Sequence, residues 1–367
     1  MICLKRLIAG MTAALLAVIL LFSVPVCAIS AQSAILVDCT TGRILYDKDI
    51  DRKSLIASTT KIMTALLVCE QCNVLDHMKI PKSVVGVEGS SMYLQEGEVL
   101  SIQELLYGLM LHSGNDAAVA LAIYCGGTVE NFVELMNDKA RLLGLESTHF
   151  ENPNGLDGQQ HYSTARDLSV LATYAMQNPV FRKIVSTKTV KISQRSLRNH
   201  NKLLWSVEGA DGVKTGYTKA SGRILVSSAM RNGRRLVAVT IKAPSDWQDH
   251  AQLLENGFSQ YETKTVVEKD SVLGAVEIAG GVYDSVELIA KGEFNYALRP
   301  EERPVVYLPT PGFIYAPVAS GQDAGYAQIF LEDQWIGSVP LVYGETVEQK
   351  LQPKPERRHW WPGRNKL

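Results

Sequence analysis

The sequence is organised around residues 57–68, which read Ala-Ser-Thr-Thr-Lys-Ile-Met-Thr-Ala-Leu-Leu-Val. Hydroxyl residues precede an apolar run, a pattern typical of the beginning of a helix. If Ser58 opens that helix, Lys61 lies one turn further on the same side, and its amine can reach the serine hydroxyl. A serine whose proton can pass to an amine is an activated nucleophile. The alternative is an N-terminal cap beside a solvated lysine, because a Ser-x-x-Lys motif also arises by chance.

Composition and charge restrict the class of protein. The chain has 367 residues, which is enough for two domains or one large one. Its 46% hydrophobic and 20% charged residues are typical of a globular protein with a sizeable core. The net charge of -1 indicates no basic surface for nucleic acid, so no nucleic-acid partner is expected.

Residues 1–30 have the features of a signal peptide. Lys5 and Arg6 precede an apolar run that extends from Leu7 to Val24, and small residues follow Pro25. A charged n-region, an apolar h-region and a small-residue cleavage site predict export. An uncleaved membrane anchor is the alternative, since the run approaches the length that spans a bilayer. In both cases the folded part is expected outside the cytoplasm, secreted or in the cell envelope.

Four cysteines follow the leader, namely Cys39, Cys69, Cys72 and Cys125. In an exported protein four cysteines could form two bridges, whose pairing the sequence does not give. The Cys69-Glu-Gln-Cys72 spacing resembles a redox or zinc motif, but no second pair accompanies it, and it falls at the end of a predicted helix. We therefore expect buried free thiols, and neither a metal site nor a cofactor.

Residues 31–262 mix helices and strands. Strands at 34–38 and 43–46 flank a glycine turn and predict a hairpin, and an Asn232-Gly233 turn joins strands at 224–230 and 235–242. With a strand at 211–217, they are predicted to form one antiparallel sheet. Besides the helix at Ser58, helices are predicted at residues 101–111, 117–124, 131–143, 161–176 and 250–261.

Two further segments follow this α+β region. Residues 263–350 alternate short β-rich runs with glycine and proline turns, which predicts a small all-β domain. The tail at 351–367 places basic residues around Trp360 and Trp361, a composition that suits peripheral contact with an anionic membrane surface. Three prolines in the tail discourage a single amphipathic helix, so a disordered tail is an equal alternative.

Three short motifs occur in order along residues 31–262. They are Ser58-Thr59-Thr60-Lys61, Ser113-Gly114-Asn115 and Lys214-Thr215-Gly216. Each has a suitable predicted setting: a helix start, a loop between two helices, and a strand. The trio is that of penicillin-binding proteins and class A β-lactamases, with Gly114 where the β-lactamases carry Asp.

The residues that flank these motifs extend the resemblance. The stretches 111–118, 154–165 and 212–218 closely resemble the low-molecular-weight D-alanyl-D-alanine carboxypeptidases. The resemblance covers residues 32–262 well, and residues 264–350 look like the C-terminal β-sandwich domain of that family. It implies a serine β-lactamase/DD-peptidase-like fold, with a helical cluster on an antiparallel sheet. It also implies removal of the terminal D-alanine from peptidoglycan stem pentapeptides, with β-lactams as covalent inhibitors.

The residue types suggest a role for each motif. Ser58 is expected to attack the carbonyl between the two D-alanines, with a neutral Lys61 accepting its proton. Ser113 can relay a proton toward the leaving amine, and Asn115 can hydrogen-bond the amide of the substrate.

The third motif is expected to bind substrate. Lys214 supplies positive potential, and Thr215 offers a hydroxyl to the terminal carboxylate. Gly216 leaves room for the substrate along the strand edge. The backbone N–H groups of Ser58 and Tyr217 are expected to hold the oxyanion.

Two further positions have alternative interpretations. Some relatives place an arginine for the carboxylate after the third strand, but this chain has none there, which leaves Lys242 as a weak substitute. His161 could face the cleft, although a structural histidine is at least as reasonable.

Three other functions compete with the carboxypeptidase. A class A-like β-lactamase would need an acidic deacylation motif, which has no clear register after Ser113. A non-catalytic cell-wall binding protein would be expected to have lost one member of the trio. A redox protein would be built on Cys69 and Cys72.

Overall fold

The computed structural model describes residues 28–351, so the predicted leader up to residue 27 and the tail from residue 352 lie outside the described residues. Within them the chain divides into two compact units. The first contains the residues up to Val37 together with Ile44–Leu254, and the second contains Asp38–Arg43 and the residues from Glu255 onward. In residues 28–351, no single helix has the length and hydropathy to cross a membrane, and one bent pair, Asn115–Gly126 with Val129–Leu142, meets both criteria jointly.

The strands of the first unit are β1 Ser33–Asp38, β2 Ile44–Lys48, β3 His77–Lys79, β4 Val99–Ser101, β5 Thr189–Ile192, β6 Arg195–Arg198, β7 Ala210–Thr218, β8 Gly222–Arg231 and β9 Arg234–Ile241. Five of them form one sheet, in the order β2-β1-β9-β8-β7. The predicted strands are all present, and the Asn232-Gly233 turn joins β8 and β9 with positive φ at both residues. The other four strands form two separate two-stranded sheets, β3-β4 and β5-β6.

Helices make up much of the rest of the unit. They are α1 Lys61–Gln71, α2 Ile102–Leu111, α3 Asn115–Gly126, α4 Val129–Leu142, α5 Ala165–Ala175, α6 Pro179–Ser186, α7 Leu203–Ser206 and α8 Asp246–Gln260. Side-chain caps fix several of their starts: Ser101 and Glu104 form a capping box on α2, Thr164 caps α5, and Asn178 caps α6 before Pro179.

Helix α1 is the centre of the first unit. Its residues from Lys61 to Val68 are buried, and it packs against α2, α3, α4, α5, α6 and β7. The prediction of a helix that opens at Ser58 needs correction. Ser58 lies in a 3-10 turn, Ala57–Thr60, that precedes α1, and the helix itself begins at Lys61.

The second unit is built almost entirely of strands. Their bounds are β10 Glu262–Val267, β11 Val272–Ala279, β12 Ser285–Ala290, β13 Phe294–Leu298, β14 Val305–Tyr307, β15 Phe313–Tyr315, β16 Asp323–Leu331 and β17 Gln334–Tyr343. Six strands form a sheet in the order β14-β16-β17-β12-β11-β15, and β10 pairs with β13. Val267 of β10 shares a buried cluster with Ile329 and Val339 of the larger sheet, so the two sheets pack face to face.

Candidate active site

The 3-10 turn places the serine of the first motif beside its lysine. A 3-10 helix has three residues per turn, so residues i and i+3 lie on the same side. The Lys61 Nζ and Ser58 Oγ atoms are 3.0 Å apart. Because the contact follows from local chain geometry, the Ser-x-x-Lys spacing alone is enough to bring the two groups together.

A glycine permits the backbone arrangement around Ser58. Ala57 has a positive φ of 44°, and Gly155, with φ +87°, packs directly on the Ala57 carbonyl. A Cβ atom at Gly155 would overlap that carbonyl and would approach the Ser58 nitrogen to 3.0 Å. The position therefore excludes any larger residue without displacement of the serine turn.

Lys61 is completely buried and has three polar partners. Besides Ser58 Oγ, its Nζ contacts Asn115 Oδ1 at 2.7 Å and the Asn154 carbonyl oxygen at 2.5 Å. Burial, and then the positive charge of Lys214, hold the pKa of Lys61 well below the ordinary 10.5, while Asp116 acts in the opposite direction. The site therefore favours the neutral amine.

The second motif lies where α2 gives way to α3. Ser113 is in the connecting loop with φ +65°, and Gly114 is the N-cap of α3. The prediction that Asn115 sits in that loop is wrong, because Asn115 is the first residue of the helix. Its Nδ2 donates to the Glu88 carbonyl at 2.6 Å, which fixes the amide so that Oδ1 faces Lys61.

The third motif lies on β7, at the edge of the sheet. Lys214 is buried, and its Nζ contacts Ser113 Oγ at 3.1 Å and the Thr215 carbonyl oxygen at 2.9 Å. Burial lowers the pKa of Lys214 from 10.5 to about 7. The ammonium and the neutral amine are therefore both accessible near neutral pH.

These motifs line one cleft of about 790 Å³. Ser58, Ser113, Thr215 and Tyr217 are among its lining residues, whereas Lys61 and Lys214 lie buried behind them. Tyr217 is 65% exposed at the cleft.

The structure gives a packing reason for Gly216, and the predicted room for the substrate stays a prediction. A Cβ atom there would come within 3.3 Å of the Thr59 nitrogen and 3.2 Å of the Ile56 carbonyl oxygen. Glycine thus allows β7 to run close beside the serine turn, and this close approach brings the backbone of Tyr217 toward that of Ser58.

The cleft also contains cationic and aromatic residues that sequence reasoning missed. Arg198, at the end of β6, lies over the Trp205 ring at 5.0 Å and lines the cleft. Among residues 28–351 it makes no salt bridge, whereas the neighbouring Arg223 is paired with Asp246 at 2.9 Å. Lys242, the predicted substitute, is exposed and is not among the lining residues.

His161 does not line the cleft. It is buried beneath the serine turn, where its Nδ1 accepts from the Glu151 N–H at 3.1 Å. Burial lowers its pKa to about 4, so the ring is neutral and its Nε2–H donates to Thr60 Oγ1 at 2.7 Å. The structural interpretation of His161 is the one that the contacts support.

The fold and the grouping of the three motifs define a class, that of the penicillin-binding proteins and serine β-lactamases. Within it, the chain belongs to the D-alanyl-D-alanine carboxypeptidase family, whose family model matches residues 21–245. Residues 261–349 match the family model of the C-terminal domain of penicillin-binding protein 5.

Individual relatives cover most of the chain. It is 31% identical over 341 residues to D-alanyl-D-alanine carboxypeptidase DacF of Bacillus subtilis, an alignment that covers 87% of this chain and 86% of the relative. It is 34% identical over 340 residues to DacD of Escherichia coli, with 87% of each chain covered. The structure of penicillin binding protein 5 from Haemophilus influenzae superposes with a TM-score of 0.75 at 30% identity, covering 88% of this chain and 98% of that one. The predicted family and fold class are thus confirmed.

Proposed function

We propose that this protein is a serine-type D-Ala-D-Ala carboxypeptidase that works through an acyl-enzyme on Ser58. The observation that carries the proposal is the environment of Lys61, whose buried amine contacts the serine hydroxyl and two carbonyl oxygens. Family membership supports the reaction class and gives no support to a β-lactamase or to a non-catalytic binder.

The hydrogen-bond inventory of Lys61 explains how the serine is activated. A neutral amine has two N–H donors and one lone pair. The Asn115 and Asn154 oxygens can only accept, so they take the two N–H groups. The lone pair is left for the third partner, Ser58 Oγ–H, and the serine proton can pass along this contact as the oxygen attacks the carbonyl.

Lys214 and Ser113 are proposed to supply the proton that the leaving D-alanine nitrogen needs. The Lys214 Nζ donates to Ser113 Oγ, which leaves the serine proton free to point into the cleft. As the peptide bond breaks, Ser113 can give its proton to the leaving D-alanine nitrogen and recover one from Lys214. Water then attacks the acyl-enzyme and gives one proton to Ser113, which passes a proton back to Lys214, while Lys61 returns its proton to Ser58.

Substrate binding is assigned to groups that line the cleft. Thr215 offers a hydroxyl to the terminal carboxylate, and Arg198 adds the only cleft arginine without an anionic partner among the described residues. The backbone N–H groups of Ser58 and Tyr217 are proposed as the oxyanion donors, each worth on the order of 3 kcal/mol in other enzymes. Asn115 is buried and is not among the lining residues; its side chain contacts Lys61 and the Glu88 carbonyl, and its predicted contact with the substrate amide is kept as a proposal.

The biological substrate is proposed to be the stem pentapeptide of peptidoglycan, with β-lactams as covalent inhibitors. The leader-like N-terminus and the family both support a place outside the cytoplasm. Peripheral membrane contact through the basic, tryptophan-containing tail stays a prediction for residues outside those that the structure describes.

Incubation with a pentapeptide muropeptide tests the proposal. Wild-type protein is expected to release D-alanine and leave a tetrapeptide, and Ser58→Ala is expected to release none. Thr41→Ala, a change in a turn remote in sequence from all three motifs, serves as the handling control and should keep full turnover. Hydrolysis of penicillin without any peptide cleavage would instead identify a β-lactamase.

A further inference from the structure

Two cysteines lie together at the ends of the helices that carry Lys61 and Asn115. Cys72 is the C-cap of α1, and Cys125 lies in the last turn of α3. Cys125 Sγ lies 3.7 Å from Oε1 of Gln71, the residue before Cys72, and the Cys72 and Cys125 thiols are near enough to shift each other's pKa. A second contact, from the Tyr124 hydroxyl to Asp76 Oδ2 at 2.9 Å, ties the same two segments together.

The two thiols are accessible to a small oxidant. Both residues are only partly buried, and both are free thiols in this structure. The expectation of buried free thiols is therefore right in that the thiols are free and wrong in that they are only partly buried. The hydrogen bond from Cys125 lowers the pKa of Cys72, which favours its thiolate, the nucleophilic form.

The Cys69-Glu-Gln-Cys72 spacing is a poorer candidate for a bond. Cys69 lies within the regular turns of α1, and burial raises the pKa of its thiol to about 12. The pKa of Cys125 is raised first by its interaction with Cys72, and this cause is lost once the Cys72 sulfur is in a mixed disulfide. No group of three or more histidine, cysteine or acidic side chains in residues 28–351 is placed to hold a metal ion. The spatial neighbour that can react with Cys72 is thus Cys125, which the sequence places 53 residues further along the chain.

We propose that Cys72 and Cys125 form a disulfide that joins the end of α1 to the end of α3. The Cys72 thiolate attacks one sulfur of a low-molecular-weight disulfide and releases one thiolate, giving a mixed disulfide. The Cys125 thiol then loses its proton, attacks the Cys72 sulfur and releases the second thiolate. Two protein thiols and one small disulfide become one protein disulfide and two small thiols.

The bond would stabilise the scaffold of the active site without taking part in catalysis. It closes the chain between residues 72 and 125, and such a closure restricts the unfolded state. Lys61 and Asn115 are the first residues of the two helices, and the bond lies at the opposite ends of both. Penicillin acylation should therefore occur in the reduced and the oxidised protein alike.

Oxidised glutathione and peptide mapping test the proposal. After incubation of the folded protein, a non-reducing digest is expected to contain a peptide pair linked through Cys72 and Cys125. Cys69→Ser is the matched control and should give the same pair, whereas Cys72→Ser and Cys125→Ser should not. Oxidation should raise the Tm of the wild type by about 5 °C or more and leave that of Cys125→Ser unchanged.

Three results would overturn the proposal. One is a bond between Cys69 and Cys72, another is glutathione retained on Cys72 and Cys125 without a link between them, and the third is no oxidation of either residue. Labelling of each variant by a fluorescent penicillin shows that the protein tested is folded, so a missing link cannot be attributed to loss of structure.

Discussion

Replacement of Lys61 by arginine tests whether a neutral amine is required beside Ser58. The change keeps a long cationic side chain, but a guanidinium stays protonated and has donors only. It therefore cannot accept the Ser58 proton in a pocket where the other two contacts, the Asn115 amide oxygen and the Asn154 carbonyl, already take the donors of Lys61.

The magnitude follows from the loss of the base. General-base catalysis raises the reaction rate by about 10²- to 10⁴-fold. In addition, an arginine is always charged, whereas burial favours the neutral form of Lys61. We expect Lys61→Arg to slow acylation by about 10³-fold or more, which corresponds to about 4 kcal/mol in the activation barrier.

The assay is the time course of labelling by a fluorescent penicillin at pH 7. Lys139→Arg is the matched control, because Lys139 is paired with Glu70 at 2.8 Å and an arginine can keep that pair. The control should label at the wild-type rate. If Lys61→Arg fails to fold, Lys61→Met, which removes the base without burying a charge, should show the same loss. Acylation of either folded variant within ten-fold of the wild type would refute the reasoning.

Three further predictions follow from the site. Because burial lowers the pKa of Lys214 to about 7 in the folded state, the unfolded chain binds more protons between pH 7 and 10.5. The unfolding free energy of the wild type should therefore rise relative to Lys214→Met, by about 3 kcal/mol between pH 7 and 9.5 in urea titrations; a constant difference would contradict the assigned burial effect. Gly155→Ala should cost about 2–4 kcal/mol of stability and abolish penicillin labelling, whereas Gly127→Ala, at φ +76° with open space around it, should cost about 1 kcal/mol and keep labelling. Arg198→Ala should raise KM for the pentapeptide about ten-fold and leave kcat nearly unchanged. Arg141 is an exposed cation paired with Asp138, so the control Arg141→Ala should change neither constant. An unaltered KM in Arg198→Ala would remove Arg198 from the substrate site.

Contacts set by local chain geometry could be predicted from the sequence. The approach of Lys61 to Ser58 depends only on their separation of three residues in a tight helical turn. The hairpin around Asn232-Gly233 is similarly local, since the turn residues adopt the positive φ angles that such a turn requires. Both were predicted from residue type and spacing.

Contacts that depend on tertiary structure could not be predicted from the sequence. The Asn154 carbonyl that meets Lys61 is a backbone group, and no side-chain pattern marks it. Asn115 begins a helix although its neighbours Gly114 and Asp116 are typical turn formers, because Asp116 is buried and accepts the N–H groups of Met92 and Leu94.

The wall of the cleft that carries Arg198 is the largest feature that the sequence did not predict. Strands β5 and β6 have four residues each, too few for a clear period-2 pattern. A distant contact holds them, since Arg195 donates to the Met92 carbonyl at 2.6 Å and pairs with Glu98 at 2.5 Å. The position of Arg198 follows from that contact and not from its local sequence.

The acyl-enzyme itself is the central claim, and its location can be measured directly. Folded protein is treated with penicillin, quenched, digested and mapped by mass spectrometry. We expect one added penicilloyl group on the peptide that contains Ser58, and none in Ser58→Ala protein with wild-type Tm. An adduct on another residue, or its persistence in the folded Ser58→Ala variant, would contradict it.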